Sequence, residues 1–424
     1  MLDIQLFREN PDLIRQSLKR RGDELSLVDQ VIDLDKKRRD LLGRVEGLRS
    51  EKNQASKTIG QGKDPDERQE KIGAMKALGE ELEKLETELK ELEPELKALL
   101  DTFPNLVDDR VPDGADDSEN QVLRTVGDKP AFDFQPQPHW DLGPALGILD
   151  FERGVKLSGS RFYVLNGLGA RLQRALVSFM LDTHTKHGYE ERYTPFMVKE
   201  EVVYASGQLP KFADNLYRDH EDDFWWVPTA EVPLTSLHKD EIMNEAELPI
   251  SYTAYTPCFR REKMSAGREV RGIKRVHQFD KVEMYIYCLP EDTEAQFQRM
   301  QADAERICDL LDLPYRVNAL CTGDLGFAAA YTSDIEVWAA GCGEWLEVSS
   351  VSNTRDFQAR RAAIRYRPEE GKGTRFVHTL NGSGLALPRV MIAVLENNQQ
   401  EDGSVIIPEV LHPWMGGVTM IEPK

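Results

Sequence analysis

The chain has 424 residues, enough for two or three domains, and its 40% hydrophobic content is enough for at least one sizeable core. The formal net charge is −20, which taken alone favours a small-molecule enzyme; a polyanion could be held only where lysine and arginine are concentrated locally. The opening MLDIQLFRENPDL lacks the basic stretch and apolar core of a secretory signal, and no uninterrupted apolar run reaches the ~18 residues of a membrane span. Five scattered cysteines (Cys258, Cys288, Cys308, Cys321 and Cys342) form no C-x-x-C pair, which argues against a disulfide framework or a cysteine-rich zinc site and fits a reducing cytoplasm.

Residues 1–105 differ from all that follows. Met75, Leu78, Leu82, Leu85, Leu89, Leu92, Leu96 and Leu99 keep a strict 3,4 spacing, the seam of a coiled coil. Val31, Leu34, Arg38, Leu41, Val45, Leu48, Lys52, Ala55 and Ile59 keep the same spacing with two polar interruptions. GQGKDPDE lies between them and reads as a helix-breaking turn with N-cap candidates Asp64 and Asp66, so two long helices fold back on each other. The first, over residues 27–58, is roughly 48 Å long at 1.5 Å per residue. Pro94 is a misfit in the second, expected to bend it or to cost about 3 kcal/mol locally. Residues 27–58 hold eight Lys or Arg against six Asp or Glu, whereas residues 66–101 hold six against twelve. This difference suits mutual support between the helices equally well as a basic face, around Lys36, Lys37 and Arg39, offered to a polyanion.

DDRVPDGADDSEN falls within residues 106–139, which read as a linker to a body at 140–424. In the body GARLQRALVSFMLDTHTKHG reads as an amphipathic helix, YEERYTPFMV as a strand and EDTEAQFQRMQADAERICDLLD as a second long helix. No β-α-β rhythm, G-x-G-x-x-G or G-K-[ST] loop is visible. The fold class expected is therefore α+β, with an antiparallel sheet flanked by helices and preceded by the helical hairpin.

Four stretches of the body carry chemistry. In WVPTAEVPLTSL, Thr229 and Glu231 stand two apart between prolines, which predicts a rigid extended loop with both side chains on one side, suited to an ammonium. FRREKMSAGREVRGIKRVHQFDKVEM predicts a hairpin with a long cationic tip, Phe279, Lys281 and Glu283 sharing one strand face; alone it reads as readily as a solvated loop. GEWLEVSSVSN brings Glu347, Ser349 and Ser350, oxygen ligands of the kind Mg²⁺ takes. HTLNGSGLALPRV predicts small residues leading into a helix start with Pro388 and Arg389, where exposed N–H groups and a cation suit an anion.

FRRE with its basic loop and VHQFDKVEM, EVSSVSN and NGSGLALPR together resemble the motifs of class II aminoacyl-tRNA synthetases. With TAE and the N-terminal hairpin the resemblance is to the bacterial-type seryl-tRNA synthetase family, over essentially the whole chain. It implies a cytoplasmic homodimer that uses ATP and Mg²⁺, without zinc, to join L-serine to serine tRNA, and it leaves selenocysteine tRNA open as a second acceptor. Carried over residue by residue, it implies that Arg260 holds the α-phosphate, with Arg261 beside it, and that Glu262 takes the adenine amino group. Phe279 would stack on the adenine near the Val276 backbone. Thr229, Ala230, Glu231, Glu283 and Ser383 would form the serine pocket, Glu283 binding the hydroxyl and Glu231 the ammonium. Glu347, Val348, Ser349 and Ser350 would bind ATP, Glu347 and Ser350 also coordinating Mg²⁺, and Arg389 would clamp the γ-phosphate. The tip Lys263 to Gly272 would close over ATP; it begins Lys-Met where many relatives have Ala-Gly. The segment from Gly169 to Pro195 would form the dimer interface, and the hairpin would lie along the long variable arm of the tRNA. Four residues of strand set Phe279 and Glu283 roughly 13 Å apart, about the length of an aminoacyl-adenylate.

Overall fold

The computed structural model describes residues 1–59, 65–263 and 271–424, which divide into two compact units, Met1–Pro104 and Asn105–Lys424. In the first, α1 (Ile4–Glu9) is capped by the Asp3 side chain and α2 (Pro11–Arg21) begins on a proline and ends at Gly22 in the left-handed region. The two long helices follow, α3 (Ser26–Ile59) and α4 (Pro65–Leu100). The turn between them and the capping expected of Asp64 and Asp66 lie outside the described backbone or side chains.

The 3,4 spacing does what it predicts. From Val31 to Ala55 and from Met75 to Leu99, every seam residue is buried or half-buried. Leu41, Val45, Leu82, Leu85 and Leu92 share one apolar cluster. α4 runs through Pro94, which removes one backbone donor without ending the helix. Across the pair, Arg38 donates to Glu93 at 3.2 Å and Arg49 to Glu86 at 2.8 Å, so part of the charge difference supports the helices themselves. Lys36, Lys37 and Arg39 remain exposed, although Arg39 Nε also donates at 3.0 Å to Asp35, a buried carboxylate held by two 2.7 Å bonds from Arg8.

The second unit is built on an eight-stranded sheet. Its strands in chain order are β1 (Gln121–Val126), β2 (Glu190–Glu191), β3 (Ile250–Phe259), β4 (Gln278–Cys288), β5 (Tyr315–Ala319), β6 (Tyr331–Ala339), β7 (Glu344–Arg355) and β8 (His378–Ala386). Their spatial order is β1-β5-β6-β7-β8-β4-β3-β2, antiparallel throughout except for the short parallel pair β2–β3. β1 lies within the stretch expected to be a linker, and residues 106–139 belong to this unit, with β1 at the sheet edge. YEERYTPFMV does not form one strand: it supplies β2 and, after Pro195, a separate short strand, Met197–Lys199. Proline lacks the N–H that a continuous ladder needs there.

Five helices matter to the site: α5 (His139–Ala145), α6 (Leu168–Lys186), α7 (Glu231–Thr235), α8 (Thr293–Leu310) and α9 (Leu387–Asn397). α6, α8 and α9 contribute Leu176, Met300 and Met391 to the same core as Val282 and Met284 of β4 and Ile335 of β6. Gly382 on β8 lets α8 approach: a Cβ there would stand 2.9 Å from the Met300 sulfur. One sheet face is thereby sealed, and the other is left to chemistry. Among the described residues no helix is long and apolar enough to cross a membrane.

Candidate active site

The charged hairpin of the sequence is β3 and β4, paired with Cys258 opposite Phe279, Thr256 opposite Lys281 and Ala254 opposite Glu283. Strand alternation sends Val282 and Met284 into the core and Phe279, Lys281 and Glu283 into a cleft of about 460 Å³. Arg260, just past β3, donates from Nε to the Pro228 carbonyl at 3.2 Å, and its guanidinium lies 5.0 Å from the Phe279 ring centroid. The two make a flat cation–aromatic wall. Glu262, at φ 51°, turns back to meet Arg275 at 3.2 Å, and Val276 lines the same wall. The tip of the hairpin, residues 264–270, lies outside the described residues.

At the far end of β4 the cleft is acidic. Thr229 Oγ1 donates to Glu283 Oε2 at 3.1 Å, and Lys281 pairs with the same carboxylate. The stretch around Thr229 and Glu231 is not the extended loop that its prolines suggested: Glu231 opens α7, and Pro233 sits in the first turn, where a missing N–H costs nothing. Both side chains still face the cleft. Gln358 donates to Glu231 Oε1 at 2.7 Å and to the Ser206 carbonyl at 3.0 Å. Protein packed closely around Glu231, and then the charge of Glu283, push its carboxyl up to about 7 against the pull of Lys281, Gln358 and Arg260. A half-buried carboxylate in that condition is short of one cation.

The opposite wall depends on two irregularities. Glu347 and Ser350 are three apart on β7 and in a regular strand would face opposite ways. The register against β6 shifts between Ile335 and Glu336, and both residues line the cleft. Asp334 faces Ser350 across the ladder, its carboxyl held well above the usual range by burial and then by Glu347, with Ser350 hydrogen bonding in opposition. Carboxylate and hydroxyl oxygens gathered here fit a hard divalent cation such as Mg²⁺. On β8 the residues NGSG are not a helix lead-in with free N–H groups but strand, Ser383 opposite Glu283; a second shift before Ala386 then turns the chain into α9. Pro388 stands in the first turn of α9 as expected. Arg389 Nη1 donates to the Glu347 carbonyl at 2.7 Å and approaches its Oε2 at 3.3 Å, and Nε donates to the Lys274 carbonyl at 3.3 Å.

Twelve of the expected residues therefore line one cleft: Thr229, Glu231, Arg260, Glu262, Val276, Phe279, Glu283, Glu347, Val348, Ser350, Ser383 and Arg389. Three do not. Ala230 is fully buried behind Thr229, and Ser349 is turned away, donating to the Ser383 carbonyl at 2.6 Å. Arg261 donates to the Leu216 carbonyl at 2.8 Å and lies over the Tyr217 ring, on the other side of the chain from its neighbour Arg260. The sequence reading gave no role to Lys281, Gln358 or Asp334. Strand parity signals Lys281, which shares a face with Glu283, whereas nothing local marks Gln358.

The raised Glu231 pKa has a consequence for stability. Proton binding favours the folded state, so this contribution is whole below the ordinary carboxyl value of 4.5 and is lost as pH rises through about 7. Glu231→Gln should remove that loss: thermal melts of the ligand-free variant should lie above wild type at pH 8 and converge with it near pH 4. Parallel melting curves for the two across that range would mean that Glu231 titrates normally.

The tRNA synthetase class II core domain model (G, H, P, S and T) matches residues 212–398, and the seryl-tRNA synthetase N-terminal domain model matches residues 1–107. A serine–tRNA ligase of Roseiflexus sp. (strain RS-1) is 60% identical over 421 residues, covering 99% of both chains. Among solved structures, the seryl-tRNA synthetase of Pyrococcus horikoshii complexed with ATP is similar at TM-score 0.94 and 37% identity, covering 100% of both chains. The cytoplasmic serine–tRNA ligase of Naegleria fowleri in complex with AMP is similar at TM-score 0.88 and 33% identity, covering 100% of this chain and 99% of that one. With its cleft on a class II core and its paired N-terminal helices, the chain belongs to the seryl-tRNA synthetase family.

Proposed function

We infer that the chain activates L-serine with ATP and transfers the seryl group to the 3′ end of serine tRNA, as a cytoplasmic homodimer. The observation that carries this reading is the convergence of Arg260, Phe279, Glu283, Glu347 and Arg389, from three separate sequence stretches, on one cleft. The serine ammonium sits against Glu231, whose unmet need for a cation supports that role, and the serine hydroxyl against Glu283. The adenine stacks on Phe279 with its amino group toward Glu262. The serine carboxylate attacks the α-phosphorus in line and pyrophosphate leaves. Arg260 and Arg389 neutralise charge that develops on the phosphates. Glu347 and Ser350 would hold Mg²⁺, which when bound adds to that neutralisation. A terminal ribose hydroxyl of the tRNA then attacks the seryl carbonyl and AMP departs. No side chain forms a covalent bond, so catalysis is positioning plus electrostatics.

The dimer is supported by the apolar side chains left exposed around the segment from Gly169 to Pro195, notably Leu157, Tyr193 and Met197. The arm is supported as the tRNA element by the exposure of Lys36, Lys37 and Arg39 on a chain of net charge −20. Contacts of this kind read shape and phosphate, as folded RNA requires.

Serine-dependent pyrophosphate exchange, run against threonine, alanine and cysteine, tests the reading; exchange with none of them, or better exchange with another, sinks it. Within that assay Arg389→Ala should slow adenylate formation by at least about a hundredfold with the fold intact, and Arg389→Lys should recover only part, because a point charge cannot reproduce a planar fork. Near-normal exchange in the alanine variant would move the triphosphate elsewhere. Replacing residues 27–101 with a short linker should leave exchange nearly intact and remove most tRNA charging. Undiminished charging by that variant would strip the arm of its role.

A further inference from the structure

Behind the cleft lies a polar cluster that the reaction does not use. His139 and Glu396 are fully buried, and Cys342 is half-buried beside them. Their ligand atoms lie within 4.8 Å of one another, a grouping of three such side chains found nowhere else among the described residues. The distances are those of hydrogen bonds. Glu396 Oε1 meets both the backbone N–H and Nδ1 of His139 at 2.8 Å, and the Cys342 thiol at 3.1 Å. Its Oε2 accepts from the Cys342 N–H at 2.8 Å. The other ring nitrogen of His139 accepts from the Ile273 N–H at 3.0 Å, which leaves the ring proton on Nδ1 and directed at Glu396. Every polar atom of the pair thus has a protein partner.

The position of the pair in the fold gives it a consequence. Ile273 belongs to the stretch where the chain returns to β4 after residue 270, and Ile273, Lys274 and Val276 all line the cleft. The next carbonyl along, that of Lys274, accepts from Arg389. Arg389 and Glu396 stand near opposite ends of α9, so the helix grips this stretch twice, directly through Arg389 and through His139 from its far end. Gly272 shows how tight the seat is: it has φ 71°, and a Cβ there would collide with His139 Nε2. Burial pushes the Glu396 carboxyl up, but the hydrogen bonds from His139 and Cys342 outweigh it and hold the group below its usual range, ionised to receive them.

We propose that His139, oriented by Glu396, is a positioning residue for ATP: it fixes the main chain at Ile273 and so sets where the Lys274 carbonyl holds Arg389 and where Val276 meets the nucleotide. The inference rests on the serine–ATP reading of the cleft. It concerns the nucleotide end, because the cluster's hydrogen bond to the cleft wall goes to Ile273, beside Lys274 and Val276.

Pyrophosphate exchange on the full chain, with KM measured separately for ATP and serine, tests it. His139→Asn keeps a donor toward Glu396 but gives Ile273 no acceptor, and should raise the KM for ATP by about tenfold or more, with the KM for serine within about twofold of wild type. His139→Gln, which can present an oxygen near the Nε2 position, should recover most of that loss. Gly272→Ala displaces the same contact from the other side and should show the same selective rise, which decides the matter if His139→Asn fails to fold. A packing role alone would lower the melting temperature and leave both KM values of the folded protein unchanged; that result, or an equal rise in both, overturns the proposal. So would zinc bound one per chain in the wild type and lost in His139→Asn. Absence of serine-dependent exchange in the wild type would instead sink the underlying reading, independently of these variants.

Discussion

The whole cleft hangs on the pairing of β4 with its two neighbours. Register in a sheet is all-or-none for facing: a slip of one residue would send Phe279, Lys281 and Glu283 into the core and Val282 and Met284 into the cleft. The apolar core beneath makes such a slip prohibitive, since both side chains are fully buried against α6, α8 and α9. Once β4 is pinned, β8 brings Ser383 opposite Glu283, and β3 delivers Arg260 beside Phe279. The two register shifts, on β6–β7 and at the end of β8, then break alternation: the first lets Glu347 and Ser350 share the cleft, and the second turns the chain into α9, which carries Arg389. Regular pairing builds the floor, and local irregularity brings Glu347, Ser350 and Arg389 to its far wall.

The electrostatics follow from that geometry. Glu231, Glu283 and Glu347 line a small cleft together with Lys281, Arg260 and Arg389, and Asp334 lies opposite Ser350 at its edge. In the structure the cations are occupied internally: Lys281 on Glu283, Arg389 on Glu347 and on the Lys274 carbonyl. On the proposed reading, a zwitterionic amino acid and a triphosphate would offer an exchange of partners at both ends, ammonium toward the acids and phosphate toward the arginines. Fixed, partly desolvated charges of this kind need little reorganisation during the reaction, which is where electrostatic catalysis gains most. With 54 Lys and Arg against 74 Asp and Glu the chain is net −20, so an anion meets a cationic surface only locally, as at the Arg260 and Arg389 walls of the cleft.

Where one physical period dominates, the sequence was legible. The 3,4 spacing foretold α3 and α4, and the alternation of QFDKVEM foretold which side chains of β4 share the cleft. It failed where tertiary context overrides a local signal. The prolines flanking Thr229 and Glu231 suit an extended loop and a helical first turn equally, and packing of α7 against the sheet chose the helix. The glycines and serine of NGSG look like a loop yet lie within β8, where small residues admit α8 closely. Acidic, proline-rich residues 106–139 look like a tether yet supply the edge strand β1. The parity break that joins Glu347 to Ser350 could not be read from spacing, and Arg261 was expected beside Arg260 although adjacent residues on an extended chain diverge. Gln358 and His139 act through partners far away in the chain, which local sequence does not reveal.

On the proposed reading β4 measures its substrate, nucleotide at Phe279 and amino-acid hydroxyl at Glu283. That reading is tested most directly by comparing serine with alanine in pyrophosphate exchange by Glu283→Ala at matched ATP concentrations. A site built to hydrogen-bond a hydroxyl discriminates strongly against the analogue that lacks it, because its own polar group is then left unpaired. The account predicts that serine activation falls by at least about tenfold, roughly 1.4 kcal/mol, that the preference for serine over alanine collapses, and that the KM for ATP is unchanged. An undiminished preference for serine in that variant would contradict it.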